Sequence, residues 1–108
     1  IAPAVTKAIA YIDENYMKQP GLESISKAAG VSSQHLCRLF RQTLNCRPME
    51  YITKRKIQAA KMLLAETQKT VEQIAEETGF CDSSYFCKIF KRFESITPSQ
   101  FRNAEQVL

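Results

Sequence analysis

The feature that most restricts the fold of this chain is a duplication within its 108 residues. A displacement of 50 residues superposes Cys37 on Cys87, Arg38 on Lys88, Leu39 on Ile89, Phe40 on Phe90 and Arg41 on Lys91. The same displacement brings Pro48 onto Pro98, Glu50 onto Gln100 and Tyr51 onto Phe101. Upstream, a displacement of 49 matches Ile25 with Ile74, Ser26 with Ala75 and Gly30 with Gly79, so one residue is inserted in the turn. Two copies are too few for a solenoid, which makes a duplicated unit the better explanation.

Apolar spacing predicts helices nearly throughout and no strands, hence an all-α fold of about seven helices. Val5, Ala8, Ile9, Ile12 and Tyr16 define a first helix ending before Pro20-Gly21. Leu22, Ile25, Ala28 and Ala29 give a short second helix, closed by Gly30 in a left-handed conformation. Ser32 caps a third helix with an inner stripe of Leu36, Leu39, Phe40 and Thr43 or Leu44. Pro48 opens the longest helix, about 49–65, with Ile52, Ile57, Ala60, Leu63 and Leu64 inside. The second half repeats the plan. Val71, Ile74, Ala75 and Thr78 form a short helix stopped by Gly79. Asp82 caps a helix striped with Phe86, Ile89, Phe90 and Phe93, and Pro98 starts a last one containing Phe101.

Each half therefore has the parts of a helix-turn-helix. Two helices that cross closely need a small side chain at the crossing, here Ser26 and Ala75. The sharp turn four residues later favours glycine, here Gly30 and Gly79. A capped helix with an apolar inner stripe and a basic outer face follows in both. The expected organisation is a first subdomain over 1–47, a connecting helix over 48–66 and a second subdomain over 67–108.

Charge agrees with an anionic partner. The net charge of +4 is unremarkable, but seven basic residues and one acid lie between Arg38 and Lys61. Five acids and one lysine follow between Glu66 and Asp82, and then come Lys88, Lys91 and Arg92. No apolar run approaches the roughly 20 residues of a membrane span. The start at Ile1-Ala2-Pro3 is not a signal peptide, and the lack of an initiator Met suggests a piece of a longer polypeptide. The four cysteines (Cys37, Cys46, Cys81, Cys87) contain no Cys-x2-Cys pair, and His35 is the only histidine. We expect neither a disulfide frame nor a metal site, and no cofactor.

The motifs also match a known family. Tyr51-Ile52, Arg55-Lys56-Ile57, Ala60, Leu63-Leu64, Ile74-Ala75 and Gly79-Phe80 resemble the DNA-binding domain of the AraC/XylS transcription regulators. The densest match is Tyr85-Phe86, Phe90-Lys91, Thr97-Pro98 and Phe101-Arg102. The likeness runs over about residues 5–103. The family usually has Ala where Ser26 stands, and Gly where Asn45 and Ser95 stand. Ser tolerates left-handed geometry less well than Asn, so a looser turn is expected before Pro98.

The resemblance implies a bacterial, cytoplasmic, nucleoid-associated transcription regulator, usually an activator. It also implies RNA polymerase as a partner and a separate sensing or dimerising domain outside this stretch. An α-helix fits the major groove and reads it with N-terminal and central residues. That makes Ser33, Gln34, Cys37 and Arg38 the expected base contacts of the first unit. Their counterparts in the second are Ser83, Ser84, Cys87 and Lys88, and the family makes such contacts at these positions. Arg38 suits guanine and Gln34 adenine. Cys37 and Cys87 would fit as small side chains against a base or a thymine methyl, the sharper alternative being a redox switch. Arg41, Lys91 and Arg92 are expected to meet phosphate, the bland alternative being solvated surface. Arg55 has two readings, an internal ion-pair partner or a DNA contact. The acidic residues Glu72, Glu76 and Glu77 should face away from phosphate, as solvated surface or as a polymerase-contacting face.

A connecting helix of sixteen residues (49–64) is roughly 24 Å long. With its turns it would space the reading helices by about one duplex turn, ~34 Å. Two rival readings fare worse. An enzyme would need a phosphate loop, a nucleophile set or clustered carboxylates, and none is present. A helical protein-interaction module without DNA affinity predicts acidic or apolar outer faces on the two reading helices.

Overall fold

The computed structural model describes residues 1–106; Val107 and Leu108, the last of the expected second subdomain, lie outside the described residues. Among the described residues seven α-helices follow one another: α1 (Pro3–Asn15), α2 (Leu22–Ala29), α3 (Ser33–Leu44), α4 (Pro48–Glu66), α5 (Val71–Glu77), α6 (Ser83–Glu94) and α7 (Pro98–Gln106). A 3₁₀ turn (Tyr16–Lys18) extends α1, and no strand occurs among the described residues. The helices gather into two compact units, Ile1–Thr53 and Lys54–Leu108, whose boundary falls inside α4.

Local chemistry accounts for the helix ends. Pro3, Pro48 and Pro98 each begin a helix, where a fixed φ helps and a missing N–H costs nothing. Thr70 and Gln73 exchange side-chain hydrogen bonds with each other's backbone N–H (3.1 and 2.9 Å), a capping box at the start of α5. Thr97 and Gln100 do the same at the start of α7 (2.9 and 3.1 Å). Asn45 (φ +56°) and Ser95 (φ +71°) both end their helices in the left-handed region. The expected loosening at Ser95 is absent. Its N–H reaches the Lys91 carbonyl at 2.8 Å, as that of Asn45 reaches Arg41 at 3.1 Å.

The first unit packs Val5, Ala8 and Ile12 of α1 against Ile25 and Ala29 of α2, with Leu36 and Phe40 of α3 and Ile52 of α4. Phe40 meets the Tyr51 ring edge-on at 5.9 Å. Two members of the expected stripes lie outside it: Ala28 and Thr43 are exposed, and Leu44 is the residue that packs. The second unit uses Ile57, Ala60 and Leu64 of α4, Ile74 and Ala75 of α5, and Phe80 with Phe86, Ile89 and Phe90 of α6. Its rings form a chain, Phe80 to Phe86 at 5.0 Å, Phe86 to Phe90 at 5.7 Å and Phe90 to Phe101 at 5.7 Å. Val5-Ala8-Ile12 and Ile57-Ala60-Leu64 share one spacing and one role. The duplication thus includes the supporting helix of each unit, α1 in one and the second half of α4 in the other.

Candidate nucleic-acid interface

The turn of the first unit is built by Gly30. Its φ of +76° lies where L-residues are strained, while a methyl group added there would meet nothing within 4 Å. Glycine is needed for backbone conformation alone. Its N–H donates to the Lys27 carbonyl at 3.1 Å and the Val31 N–H to the Ser26 carbonyl at 3.2 Å. This Schellman pair closes α2. Gly79 (φ +87°) repeats the pattern in the second unit. Its N–H reaches the Glu76 carbonyl at 3.2 Å and the Phe80 N–H reaches Ala75 at 2.9 Å. Ser26 and Ala75, the small residues at the crossings, are both buried.

Each turn leads straight into a capped helix. The Ser32 hydroxyl accepts from the His35 N–H at 3.1 Å, and the Asp82 carboxylate accepts from the Tyr85 N–H at 2.7 Å. Such caps are worth about 1 kcal/mol each and set where the helix begins. On α3, Leu36 and Phe40 are buried, so Gln34, Arg38 and Arg41 are left in solvent. On α6, Phe86, Ile89 and Phe90 are buried, so Ser84, Lys88, Lys91 and Arg92 are left in solvent. A shallow groove lined by Lys88, Ile89, Lys91 and Arg92 runs along that face. Ser33, Cys37, Ser83 and Cys87 are half-buried and sit at the edges of the exposed strips. Ser33 already has a partner, the Ser26 hydroxyl at 3.0 Å. Burial pushes the Cys87 thiol above its ordinary pKa, and the charge of Glu72 adds to this. Cys87 is thus a small protonated side chain, poorly suited to thiolate chemistry.

On α5, Glu72, Glu76 and Glu77 are all exposed, with Glu77 paired to Lys69 at 2.7 Å.

Two cations of the basic run, and Arg102 beyond it, are engaged within the second unit, which spacing alone does not reveal. The Lys56 ammonium donates to the Gly79 carbonyl at 2.9 Å and lies 5.3 Å from the centre of the Phe80 ring. Burial holds its pKa below the usual lysine range, partly offset by Cys81. Lys61 pairs with Glu94 at 3.0 Å and stands 5.7 Å from the Phe101 ring. Arg102 donates through Nε to the Leu64 carbonyl (3.1 Å) and through Nη2 to the Thr67 carbonyl (3.2 Å). Gln106 Nε2 joins it on Leu64 at 2.8 Å. These groups satisfy carbonyls at the end of α4 that have no partner inside the helix. The cations of α3 and α6 are different: Arg38, Arg41, Lys88, Lys91 and Arg92 are all exposed. An acidic or apolar outer face, as a module without DNA affinity would carry, is found on neither helix.

Relatives bear directly on this geometry. The model of a helix-turn-helix domain family matches residues 25–104. The lactose operon transcription activator of Staphylococcus xylosus is 30% identical over 99 residues, which are 92% of this chain and 36% of that protein. The chain spans about a third of the length of the curated relatives it matches. Among solved structures, it is similar to the C-terminal domain of AraT, a response regulator from Geobacillus stearothermophilus. The TM-score is 0.93 at 29% identity, covering 99% of this chain and 89% of that one. A transcriptional regulator from Chromobacterium violaceum with an AraC-type DNA-binding domain gives 0.91 at 29% identity, covering 96% and 93%. Among the described residues no helix is long and apolar enough to cross a membrane. Two glycine-hinged turns, each delivering a capped helix with a polar and basic face, place this chain in the AraC/XylS family, as a double helix-turn-helix domain that binds specific DNA in transcription regulators.

Proposed function

We propose that this chain reads base edges through Ser33, Gln34, Cys37 and Arg38 of α3 and through Ser83, Ser84, Cys87 and Lys88 of α6. Arg41, Lys91 and Arg92 hold phosphates on either side of the reading strips. The observation that carries this assignment is that the strips occupy equivalent exposed faces of two helices, each starting one residue after its cap. Exposed cations within reach of a major groove supply affinity, while forked side chains supply preference and hydroxyls adapt to the base edge they meet. The half-buried cysteines add small apolar contacts.

The whole protein, in this reading, activates transcription from the bacterial cytoplasm, at the nucleoid. It does so with RNA polymerase as a partner and with a sensing or dimerising domain elsewhere in the polypeptide. The activator named among the relatives, and the third of its length that this chain spans, support that assignment. We give the chain no catalytic role.

Selection of duplexes from a random pool, followed by binding measurements, tests the residue assignments. Arg38→Ala should cost ~1–3 kcal/mol and relax preference at one base pair. Lys91→Ala should weaken binding to all duplexes alike and lower the salt slope by about 1. If Arg38→Ala behaves as Lys91→Ala does, Arg38 is a phosphate contact and the base assignment falls.

A further inference from the structure

We propose that the two units read DNA with unequal stringency, the first selecting bases and the second supplying phosphate-driven affinity. This rests on the interface assignment above and extends it by dividing the work between the units. At equivalent positions the first unit has Gln34, Arg38 and Gln42 where the second has Ser84, Lys88 and Arg92. All six are exposed.

A guanidinium and a primary amide present two groups in a fixed fork. They match the paired groups of guanine and adenine, and a wrong base leaves one arm unmatched. An ammonium on a flexible stem is a point charge, and a single hydroxyl donates or accepts as the partner requires. Both Ser84 and Lys88 therefore accept most base edges. The charge balance runs the other way. α6 exposes Lys88, Lys91 and Arg92, whereas α3 exposes Arg38 and Arg41. Cation count governs non-specific affinity and its salt dependence.

An independent observation points the same way. The Ser26 hydroxyl lies within hydrogen-bond reach of the Glu23 carbonyl at 3.1 Å and of the Ser33 hydroxyl at 3.0 Å, and in the second contact either oxygen can donate. With its hydrogen on Glu23, Ser26 accepts from Ser33 and leaves the Ser33 lone pairs toward the amino group of adenine or cytosine. Ala75 occupies the position of Ser26 in the second unit, so nothing equivalent orients the Ser83 hydroxyl. Ser26 is thus a positioning residue, one that holds a hydroxyl in the first unit where its counterpart in the second is left to turn.

The test takes the best duplex from a random pool and varies each half of the site separately, base by base. In one half, substitutions should lower affinity about 5- to 150-fold at the positions read by forked groups. In the other half they should change it by less than about threefold, the discrimination of a point charge being smaller. The exchange Q34S/R38K should flatten the strict half and leave the tolerant half unaltered, and S84Q/K88R should sharpen the tolerant half. Equal stringency in both halves would overturn this inference and leave the base-reading assignment standing. So would a strict half that responds to S84Q/K88R and ignores Q34S/R38K. A chain with no base preference in either half would overturn the interface assignment itself, and this inference with it.

Discussion

The two units share the pattern of their turns and caps and differ in their interiors. Their turns and caps agree bond for bond: Gly30 with Gly79, Ser32 with Asp82, Asn45 with Ser95. Their cores do not. The first is aliphatic around one phenylalanine, while the second runs Phe80, Phe86, Phe90 and Phe101 in a chain of rings, tilted at the first contact and edge to face at the next two. The second is also tied by charged side chains to carbonyls of its own backbone, through Lys56 and Arg102. The contrast shows which constraints are rigid. A left-handed residue or a cap must have a particular chemistry at one position. A core needs only the right volume and an apolar surface, so it can be filled in more than one way.

The sharpest way to break the comparison is to remove one ring from each core. Phe40→Ala and Phe90→Ala should each cost about 3–5 kcal/mol in denaturant unfolding. The larger loss should fall on Phe90, which touches two rings where Phe40 touches one. An equal loss would mean that ring geometry adds nothing to burial.

A smaller effect tests the shared turns. Gly30→Ala should cost ~1–2 kcal/mol from its positive φ alone, since the added methyl meets no neighbour. By the same logic Ser95→Gly should stabilise the chain by up to about 1 kcal/mol. Asn45→Gly should give less, because asparagine already tolerates that conformation. Thermal unfolding of the three variants would expose any difference between the turns that the geometry does not show.

The smallest effect concerns Lys56, which has a counterpart in neither the core nor the turn of the first unit. Its pKa is lower in the folded chain than the ordinary 10.5 of an unfolded one. Between those two values the unfolded state binds more protons, so stability contributed at this site rises with pH across that window. Comparing the pH dependence of unfolding for the native chain and Lys56→Met isolates the rise, which the variant should lack. A difference of opposite sign would mean that the charged form is favoured in place, through the Gly79 carbonyl and the Phe80 ring.

Most of the architecture was legible in the residues. Apolar spacing at three and four marked every helix, and Gly30, Gly79, Ser32 and Asp82 marked both turns. The capping box at Thr70 and Gln73 was equally available, as a Thr three residues before a Gln. Burial at helix edges was harder to read, as Ala28 and Thr43 show, because a small side chain at a boundary position fits either side. The strips on α3 and α6 were visible as polar residues left over from the apolar stripe. Their edges were not: Ser33 and Cys87 are half-buried, and Ser33 meets Ser26 on another helix.

The amino-acid order alone determined the helices and the turns, because each depends on groups within about five residues of one another, and the repeat is the recurrence of those same local patterns. Only the tertiary structure decided which cations stay available for DNA. Lys56 is drawn to a carbonyl 23 residues away and Arg102 to one 38 residues away. A lysine in a charge run looks the same whether its partner is a phosphate or a buried carbonyl. The difference lies in what the folded chain brings beside it.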